Sequence, residues 1–409
     1  MPETSHDISA GRRRAAGDRC PGVLRLAEAA DGCLARIRLP GGLVTGGQLR
    51  LLARMATELG DGRIELTSRG NVQLRALAVA SAGPLTTALI EAGLLPSLDH
   101  DRVRNVLASP LAGLNGGRDL TGLVRLLDAA LCARPRLAGL PGRFLFAIDD
   151  GRGDVAGLGA DVVAQVGADR AVVNGLAVRD GDADAAVSAV VTVMLACAEA
   201  FLDERAAAGS TAWRIADLPG GAERVRAAVA GRFGLPPVSR QPMPHEPALA
   251  TAARPVGIVP CRAAEGGVEP RSVPFDGLDS VVLLAPLGRL TAAQVTWLAD
   301  RVAGRTARIT PWRSVVLPDQ ADAAGTLQAA ASLGFGVDDG SPWLRVTACA
   351  GRPGCARALA DVQADAAGFA ARWPGRIVHV SGCGRHCGRP AATEIDATAT
   401  SEGYQVAGV

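Results

Sequence analysis

The sequence contains no lysine, so each of its 43 basic residues is an arginine. It has one tyrosine, and aromatic residues make up only 3% of the chain, so its cores must be built from alanine, valine and leucine. An abundance of glycine, alanine and arginine is typical of coding bias, which weakens a functional interpretation of any single arginine. Arginine is nonetheless the residue that binds carboxylates through two parallel hydrogen bonds.

An excess of charge of one sign is also missing. The 43 basic residues face 41 acidic ones, which gives a net charge of +2. The basic run at 12–14 is confined to the N-terminal tail. We therefore expect no nucleic-acid partner, because such proteins carry a concentrated basic surface.

Long hydrophobic runs are scarce as well. The N-terminal residues have no apolar core segment, so no secretory signal is expected there. The most apolar stretch, 187–201, includes Ser188, Thr192 and Glu199, and it is too short and polar for a membrane span. A buried helix, no membrane association and a cytoplasmic location with reduced thiols are the expectations. Cysteines in that compartment bind metal more often than they form disulfides.

The order of predicted elements occurs twice along the chain. A predicted strand at 34–39 is followed by a helix that opens on the capping-box pair Thr45 and Gln48. A predicted strand at 281–285 is followed by a helix that opens on Thr291 and Gln294 in the same way. Two further strands follow each helix, so we interpret the pattern as an internal duplication of a β-α-β-β half-unit. The alternative is a chance similarity of two strand–helix segments.

This duplication predicts an α+β fold of two ferredoxin-like half-units and two α/β domains, related by a pseudo-twofold axis. Ligands are expected at the interface between the halves. The predicted divisions are a disordered tail at 1–18, half-units at 19–82 and 256–320, α/β domains at 83–235 and 321–409, and a stiff proline-rich linker at 236–255.

Four of the nine cysteines occur as two close pairs near the C-terminus. Cys349 and Cys355 are separated by five residues, and Cys383 and Cys387 by three. Four thiolates from two glycine-rich loops can enclose a soft metal centre, and the wide loops favour a [4Fe–4S] cluster. Zinc is the rival occupant, although structural zinc sites use closer ligand spacing. Ordinary buried thiols are the third possibility.

The second signal is a group of five arginines, Arg36, Arg38, Arg69, Arg75 and Arg104. Such a set can hold an anionic ligand with several carboxylates. The alternative is a solvated strand face in an arginine-rich protein. The histidines show no metal-ligand spacing. A carboxylate–imidazole iron site around His100 is conceivable, but an exposed loop histidine is the simpler interpretation.

The motifs together resemble the sirohaem- and iron–sulfur-dependent nitrite/sulfite reductases. The resemblance rests on the cysteine set, the segment 381–388, the Thr67-Ser-Arg-Gly-Asn-Val-Gln73 motif, the Arg104-Asn-Val segment and the duplicated half-unit. It implies the reductase fold and a [4Fe–4S] cluster on Cys349, Cys355, Cys383 and Cys387. In the reductases the cysteine that matches Cys387 also bridges the cluster to sirohaem iron.

Two positions depart from the reductase pattern. The reductases carry two lysines that donate protons and bind the substrate anion, where this chain has Arg143 and Leu145. With the segments 21–25 and 104–113, this resembles the precorrin-3B synthase family. That resemblance implies O2-dependent hydroxylation of precorrin-3A at C20, with formation of a γ-lactone from the ring A acetate. It also implies single electrons from a reduced nicotinamide or a carrier protein, and an additional mononuclear non-haem iron whose ligands the sequence does not identify.

The family's substrate is a tetrapyrrole lined with carboxylates. The resemblance therefore implies that the pocket which holds sirohaem in the reductases holds the substrate here. Its carboxylates would be bound by Arg69 and Arg104, with Arg36, Arg38 and Arg75 as further candidates, and Asn71, Gln73 and Asn105 would add hydrogen bonds. The alternatives are a short sirohaem nitrite or sulfite reductase and a non-catalytic tetrapyrrole or cluster carrier.

Overall fold

The computed structural model describes residues 20–114, 118–167, 171–178, 183–238, 256–259, 278–302 and 304–408. The predicted disordered tail at 1–18 and most of the predicted linker at 236–255 lie outside the described residues. Within the described part, the strands form three five-stranded sheets and one four-stranded sheet.

The first half of the duplication forms a ferredoxin-like sheet with helices packed against it. Alternating side chains bury Ala35, Ile37 and Leu39 in its core, as the sequence pattern predicts. Thr45 and Gln48 form the predicted capping box. The elements are β1 (Ala27–Ala29), β2 (Gly32–Ile37), β3 (Leu43–Thr45), α1 (Gly46–Leu59), β4 (Arg63–Leu66), β5 (Val72–Leu77) and α2 (Ala82–Glu91).

An α/β domain follows, built on a sheet in the order β10-β9-β8-β7-β6, in which β6, β7 and β8 are parallel. Its elements are β6 (Val106–Ala108), α3 (Thr121–Cys132), β7 (Phe146–Asp149), β8 (Val162–Val166), β9 (Ala171–Val173), β10 (Leu176–Val178), α4 (Ala183–Ala207) and α5 (Gly221–Phe233). By length and composition alone α4 is able to cross a membrane, but 56% of its most apolar window is buried inside the protein. Met194, Cys197 and Phe201 lie in the core of this domain.

The second half of the duplication repeats the first. Its elements are β11 (Gly257–Val259), β12 (Asp279–Leu284), β13 (Arg289–Thr291), α6 (Ala292–Arg301), β14 (Thr306–Ile309), β15 (Ser314–Gln320) and α7 (Ala323–Ser332). Thr291 and Gln294 form the second predicted capping box. The turns after β4 and β14 also match, because the hydroxyls of Thr67 and Thr310 each accept two backbone amides of their turn. The pseudo-twofold α+β fold class is confirmed.

The two ferredoxin-like sheets each contain one strand of the other half. β3 pairs with β14, and β13 pairs with β4, both antiparallel. Helices α1 and α6 pack against each other, and Leu52 and Leu298 lie in one continuous core. The duplication was predictable from the sequence, but this exchange of strands was not.

The cysteine pairs belong to a four-stranded sheet near the C-terminus. Its elements are β16 (Val346–Ala348), α8 (Val362–Arg372), β17 (Val378–Ser381), β18 (Ile395–Thr400) and β19 (Gly403–Ala407). β16, β17 and β18 run parallel, and β19 is antiparallel to β18. One face packs against α8 through an apolar core that includes Val362, Val378 and Val380.

The close approach of the two halves predicts that Gly42 cannot be replaced. A Cβ atom at this position would lie 2.0 Å from the carbonyl oxygen of Ile309, and Gly42 has a φ of +69°. Gly42→Ala is expected to lower the free energy of unfolding by more than about 2 kcal/mol, since both the clash and the left-handed backbone are unfavourable. Gly47→Ala is the control, because its Cβ would have only Thr45 Oγ1 near it, at 4.0 Å. Equal midpoints of urea unfolding for Gly42→Ala and Gly47→Ala would contradict the close approach of Gly42 to Ile309.

Candidate functional site

The two cysteine pairs meet at one edge of the C-terminal sheet. Cys349 directly follows β16, and Cys383 lies two residues after β17. These strands are parallel neighbours, with Ala348 opposite Val380. Because parallel strands end at the same edge, the loops that carry Cys355 and Cys387 meet there as well.

The backbone around the cysteines is shaped to hold sulfur. The amide of Gly382 donates a hydrogen bond to Cys349 Sγ at 3.1 Å. A Cβ atom on Gly382 would lie 2.7 Å from the Cβ of Ala358 and 3.5 Å from that sulfur, so glycine is what allows the contact. Amide donors to sulfur are the surroundings that stabilise and tune a thiolate ligand.

The spacing of the sulfurs bears on the choice between a cluster and zinc. Tetrahedral zinc with bonds of about 2.3 Å places its sulfurs about 3.8 Å apart. Among the described residues, Asp149, Asp150 and Asp154 bring three potential ligand atoms within 4.8 Å of one another, and no three cysteine sulfurs do so. The four sulfurs are therefore not arranged for tetrahedral zinc as they stand. Four cysteine thiolates are also the donor set of a [4Fe–4S] cluster.

The three clustered aspartates do not fit a non-haem iron. The two carboxylate oxygens of Asp149 accept hydrogen bonds from four backbone amides of the loop that follows. Asp150 pairs with Arg152, and Asp154 accepts a hydrogen bond from the hydroxyl of Ser109. Because their oxygens already have protein donors, we interpret the cluster as a loop-forming element.

Arg69 stands apart from the other predicted arginines. Within the described residues its guanidinium makes no hydrogen bond and no ion pair, although its side chain is half-buried. Burial is the main cause that lowers its pKa, followed by the positive charge of Arg214. Arg36 lowers the pKa further, whereas Cys20 and Asp161 raise it, and the net direction is downward. A guanidinium among like charges without a bonded carboxylate is the arrangement that an anionic ligand stabilises.

Two charged neighbours of Arg69, Arg214 and Asp161, were missed by sequence reasoning. The guanidinium of Arg143 stacks on the ring of Trp213, 4.4 Å from its centroid. Asp161 holds this region together, because its carboxylate accepts hydrogen bonds from Arg214 Nε at 2.7 Å and from the Leu145 amide at 2.9 Å. Asp161 and the neighbouring Trp213 and Arg214 come from separate loops, so no sequence spacing could have identified them.

Arg36 and Arg38 have protein partners. Arg36 donates two hydrogen bonds to the side-chain oxygen of Gln73, at 2.8 and 2.5 Å. Arg38 is only 2% exposed and donates to the backbone oxygens of Pro21 and Arg102. Burial lowers the pKa of Arg38 to about 10. The substrate roles of Arg36, Arg38 and Gln73 stay predictions, and their contacts favour support of the hairpin below Arg69.

Arg75 and Arg104 are engaged in buried ion pairs. Arg75 donates two hydrogen bonds to Asp31, and a third, at 3.0 Å, to the carbonyl of Gly354 in the first cysteine loop. Arg104 makes two hydrogen bonds of 2.7 Å to Asp128. Both guanidinium groups are already neutralised, so the geometry favours structural roles over the predicted binding of substrate carboxylates.

Asn71 and Asn105 are buried and bonded to the backbone. Asn71 accepts a hydrogen bond from the Leu39 amide and donates one to Asn105. Asn105 Nδ2 lies within hydrogen-bond distance of the carbonyls of Arg102, Gly142 and Phe144. These contacts order the loops around Arg69, and direct substrate contact by either asparagine stays a prediction.

His100 differs from the expectation of an exposed loop histidine. It is 2% exposed, and its ring nitrogens lie 2.8 Å from Ser97 Oγ and 3.0 Å from the Arg134 carbonyl oxygen. The flanking acidic residues suggested exposure, but contacts distant in sequence bury the ring. With both nitrogens occupied, His100 is not placed to bind a metal.

Comparison with known proteins finds relatives among the nitrite reductases. Residues 26–92 match the nitrite/sulfite reductase ferredoxin-like half domain. A ferredoxin–nitrite reductase of Leptolyngbya laminosa is 26% identical over 88% of this chain and 75% of its own. A solved structure of the Mycobacterium tuberculosis NirA protein superimposes with a TM-score of 0.67, at 22% identity, over 90% of this chain and 71% of that one. The chain is therefore similar along most of its length to nitrite reductases, and its first half-unit matches the half domain of that family.

A second relative represents the more specific resemblance. A precorrin-3B synthase of a Sinorhizobium species is 26% identical over 94% of this chain and 81% of its own length. The chain is thus related along most of its length to oxidoreductases of both kinds, at a similar level of identity.

His379 gives a testable pH dependence near this site. Its side chain is fully buried, and burial lowers its pKa to about 4. The unfolded chain takes up the proton near pH 6.5 and the folded chain does not, so stability is lost as pH falls from about 6.5 towards 4. Between pH 7 and pH 5 the loss is about 2 kcal/mol. His379→Asn keeps a polar partner for Thr347 and should lack this part of the pH dependence in urea unfolding. Parallel pH profiles of wild type and variant would contradict it.

Proposed function

We propose that this protein is a precorrin-3B synthase-like oxidoreductase. In this reaction O2 hydroxylates precorrin-3A at C20, one oxygen atom leaves as water, and the ring A acetate closes to a γ-lactone. Two electrons and two protons complete the balance, with a reduced nicotinamide or a carrier protein as the donor. A cytoplasmic location belongs to the same proposal, supported by the fact that none of the described cysteines forms a disulfide.

The unpaired guanidinium of Arg69 is the observation that carries this proposal. It lies near Arg36 and Arg214, and no carboxylate of the described residues is bonded to it. A tetrapyrrole with acetate and propionate groups is a large polyanion with the chemistry to fill such a site. Arg69 would bind a substrate carboxylate, and the stack of Arg143 on Trp213, the residue before Arg214, would offer a flat cationic surface.

The proposed cofactor is a [4Fe–4S] cluster held by Cys349, Cys355, Cys383 and Cys387. When bound, it supplies electrons one at a time. The protein's own contribution is the Gly382 amide, which stabilises the Cys349 thiolate. The additional non-haem iron that the family resemblance implies has no fitting ligand set among the described residues, and no step is assigned to it.

At the two positions where the reductases carry lysines, this chain has Arg143 and Leu145, and these residues favour the synthase over the reductase. Arg143 is engaged by Trp213, and as an arginine it does not release a proton. Leu145 is buried in a small apolar cluster with Leu107, Ala147 and Val155, against which Trp312 packs. Apolar side chains provide neither a positive charge nor a hydrogen-bond donor for nitrite or sulfite. The sirohaem reductase remains the second candidate, because its relatives match this chain equally well.

The visible spectrum of anaerobically purified protein tests the choice. The synthase proposal predicts broad iron–sulfur absorption, with iron and acid-labile sulfide in equal amounts. A chlorin band of sirohaem would overturn it in favour of the reductase.

With precorrin-3A and reductant, the protein should consume O2 and form the hydroxylated lactone. Tetrapyrrole binding without O2 uptake would identify a non-catalytic carrier.

Substitution of Arg69 tests the substrate site. Arg69→Gln should raise the dissociation constant for precorrin-3A about tenfold or more, because a hydrogen bond to a charged group contributes about 1.5–3 kcal/mol. Binding is measured by anaerobic equilibrium dialysis, and iron and sulfide contents should be unchanged. Arg50→Gln is the matched control, since this exposed arginine pairs with Asp300 on the surface. If both variants bind like wild type, Arg69 is not part of the substrate site.

A further inference from the structure

The face of the C-terminal sheet that points away from α8 is polar and yet buried. His379 and Ser381 alternate with apolar residues along β17, and Asp396 lies opposite His379 on β18. None of the three is more than 8% exposed. His379 Nε2, Ser381 Oγ and Asp396 Oδ1 are buried and have no hydrogen-bond partner among the described residues. A buried polar face requires an explanation, because each unsatisfied group is unfavourable.

The carboxylate of Asp396 contacts the loop that carries the last two cysteines. Its Oδ2 accepts a hydrogen bond from Arg389 Nη1 at 2.7 Å. His386 Nδ1 lies 2.9 Å from the same oxygen, without the alignment of a hydrogen bond. These two residues stand on either side of Cys387, which is itself exposed.

Little else attaches this loop to the protein. Between Cys383 and Arg389 the backbone hydrogen bonds are local, from the amides of His386 and Arg389 to carbonyls three residues earlier. Within the described residues, the bond from Arg389 to Asp396 is the hydrogen bond that joins this stretch to another element. His386 also has a φ of +47°, a conformation that is unfavourable for a residue with a Cβ and persists only where contacts hold it.

We propose that Asp396 is a positioning residue for the cluster. It holds the loop after Cys387 through Arg389 and lies against His386 before it, so its buried negative charge is next to the loop that carries Cys387. The inference rests on the cluster assigned in the proposed function. A negative charge near a redox centre disfavours the added electron, so Asp396 lowers the midpoint potential, and Arg389 acts in the opposite direction.

Two substitutions that remove charges of opposite sign test this role. Asp396→Asn removes the negative charge and should shift the midpoint potential of the cluster to a more positive value, with a changed EPR spectrum of the reduced state. Arg389→Gln removes the positive charge and should shift the potential to a more negative value. General damage to the fold would not move the potential in opposite directions. The half-exposed side chain of Arg389 also makes the second variant informative if the first does not fold.

Glu394→Gln is the matched control. This carboxylate pairs with Arg376 at the start of β18, whereas the cysteines follow the ends of their strands, and its loss should leave the potential unchanged. Wild-type potentials and EPR spectra in both Asp396→Asn and Arg389→Gln would overturn the positioning role and leave the proposed function intact. A wild-type protein without iron and sulfide would instead refute the cluster, and with it the proposed function.

Discussion

The exchange of one strand between the two ferredoxin-like sheets is the constraint on which the structure depends. β3 completes the sheet of the second half, and β13 completes that of the first. Each exchanged strand ends at the N-cap of a helix, Thr45 or Thr291, so the capping boxes fix where each strand stops. The pairing leaves no room at Gly42, whose Cα faces the Ile309 carbonyl. The two halves therefore form one core.

Around this core the arginines divide into two groups by their partners. Arg75 and Arg104 have carboxylates within the protein and contribute to its stability. Arg69 has none bonded to it, and its nearest charged neighbours include further cations. In a chain without lysine, the type of residue carries no information on this division. What distinguishes a binding arginine from a structural one is whether the fold has supplied its anion.

This division explains how far the sequence could be interpreted. The capping boxes, the alternation in β2 and the cysteine pairs are local patterns, and they predicted the duplicated fold and a candidate metal site. The partners of Arg104 and the neighbours of Arg69 are distant in sequence, for example Asp128 and Arg214. Trp213 lies in a loop with no periodic pattern, so its stacking on Arg143 follows only from tertiary packing. Local spacing identifies ligands that are close together in the chain. It cannot distinguish binding from structural side chains when their roles depend on long-range contacts.

The bond between Arg75 and the Gly354 carbonyl has a consequence for electron transfer. It joins residues 279 positions apart and attaches the first cysteine loop to the hairpin that also carries Arg69. Because the rate of electron tunnelling falls steeply with distance, the separation between the cluster and the substrate would matter under the proposed function. The Arg75 guanidinium is held by Asp31 on one side and donates to the cysteine loop on the other. The proposed cluster ligands and the proposed substrate arginine would thus lie on segments that this one guanidinium joins directly.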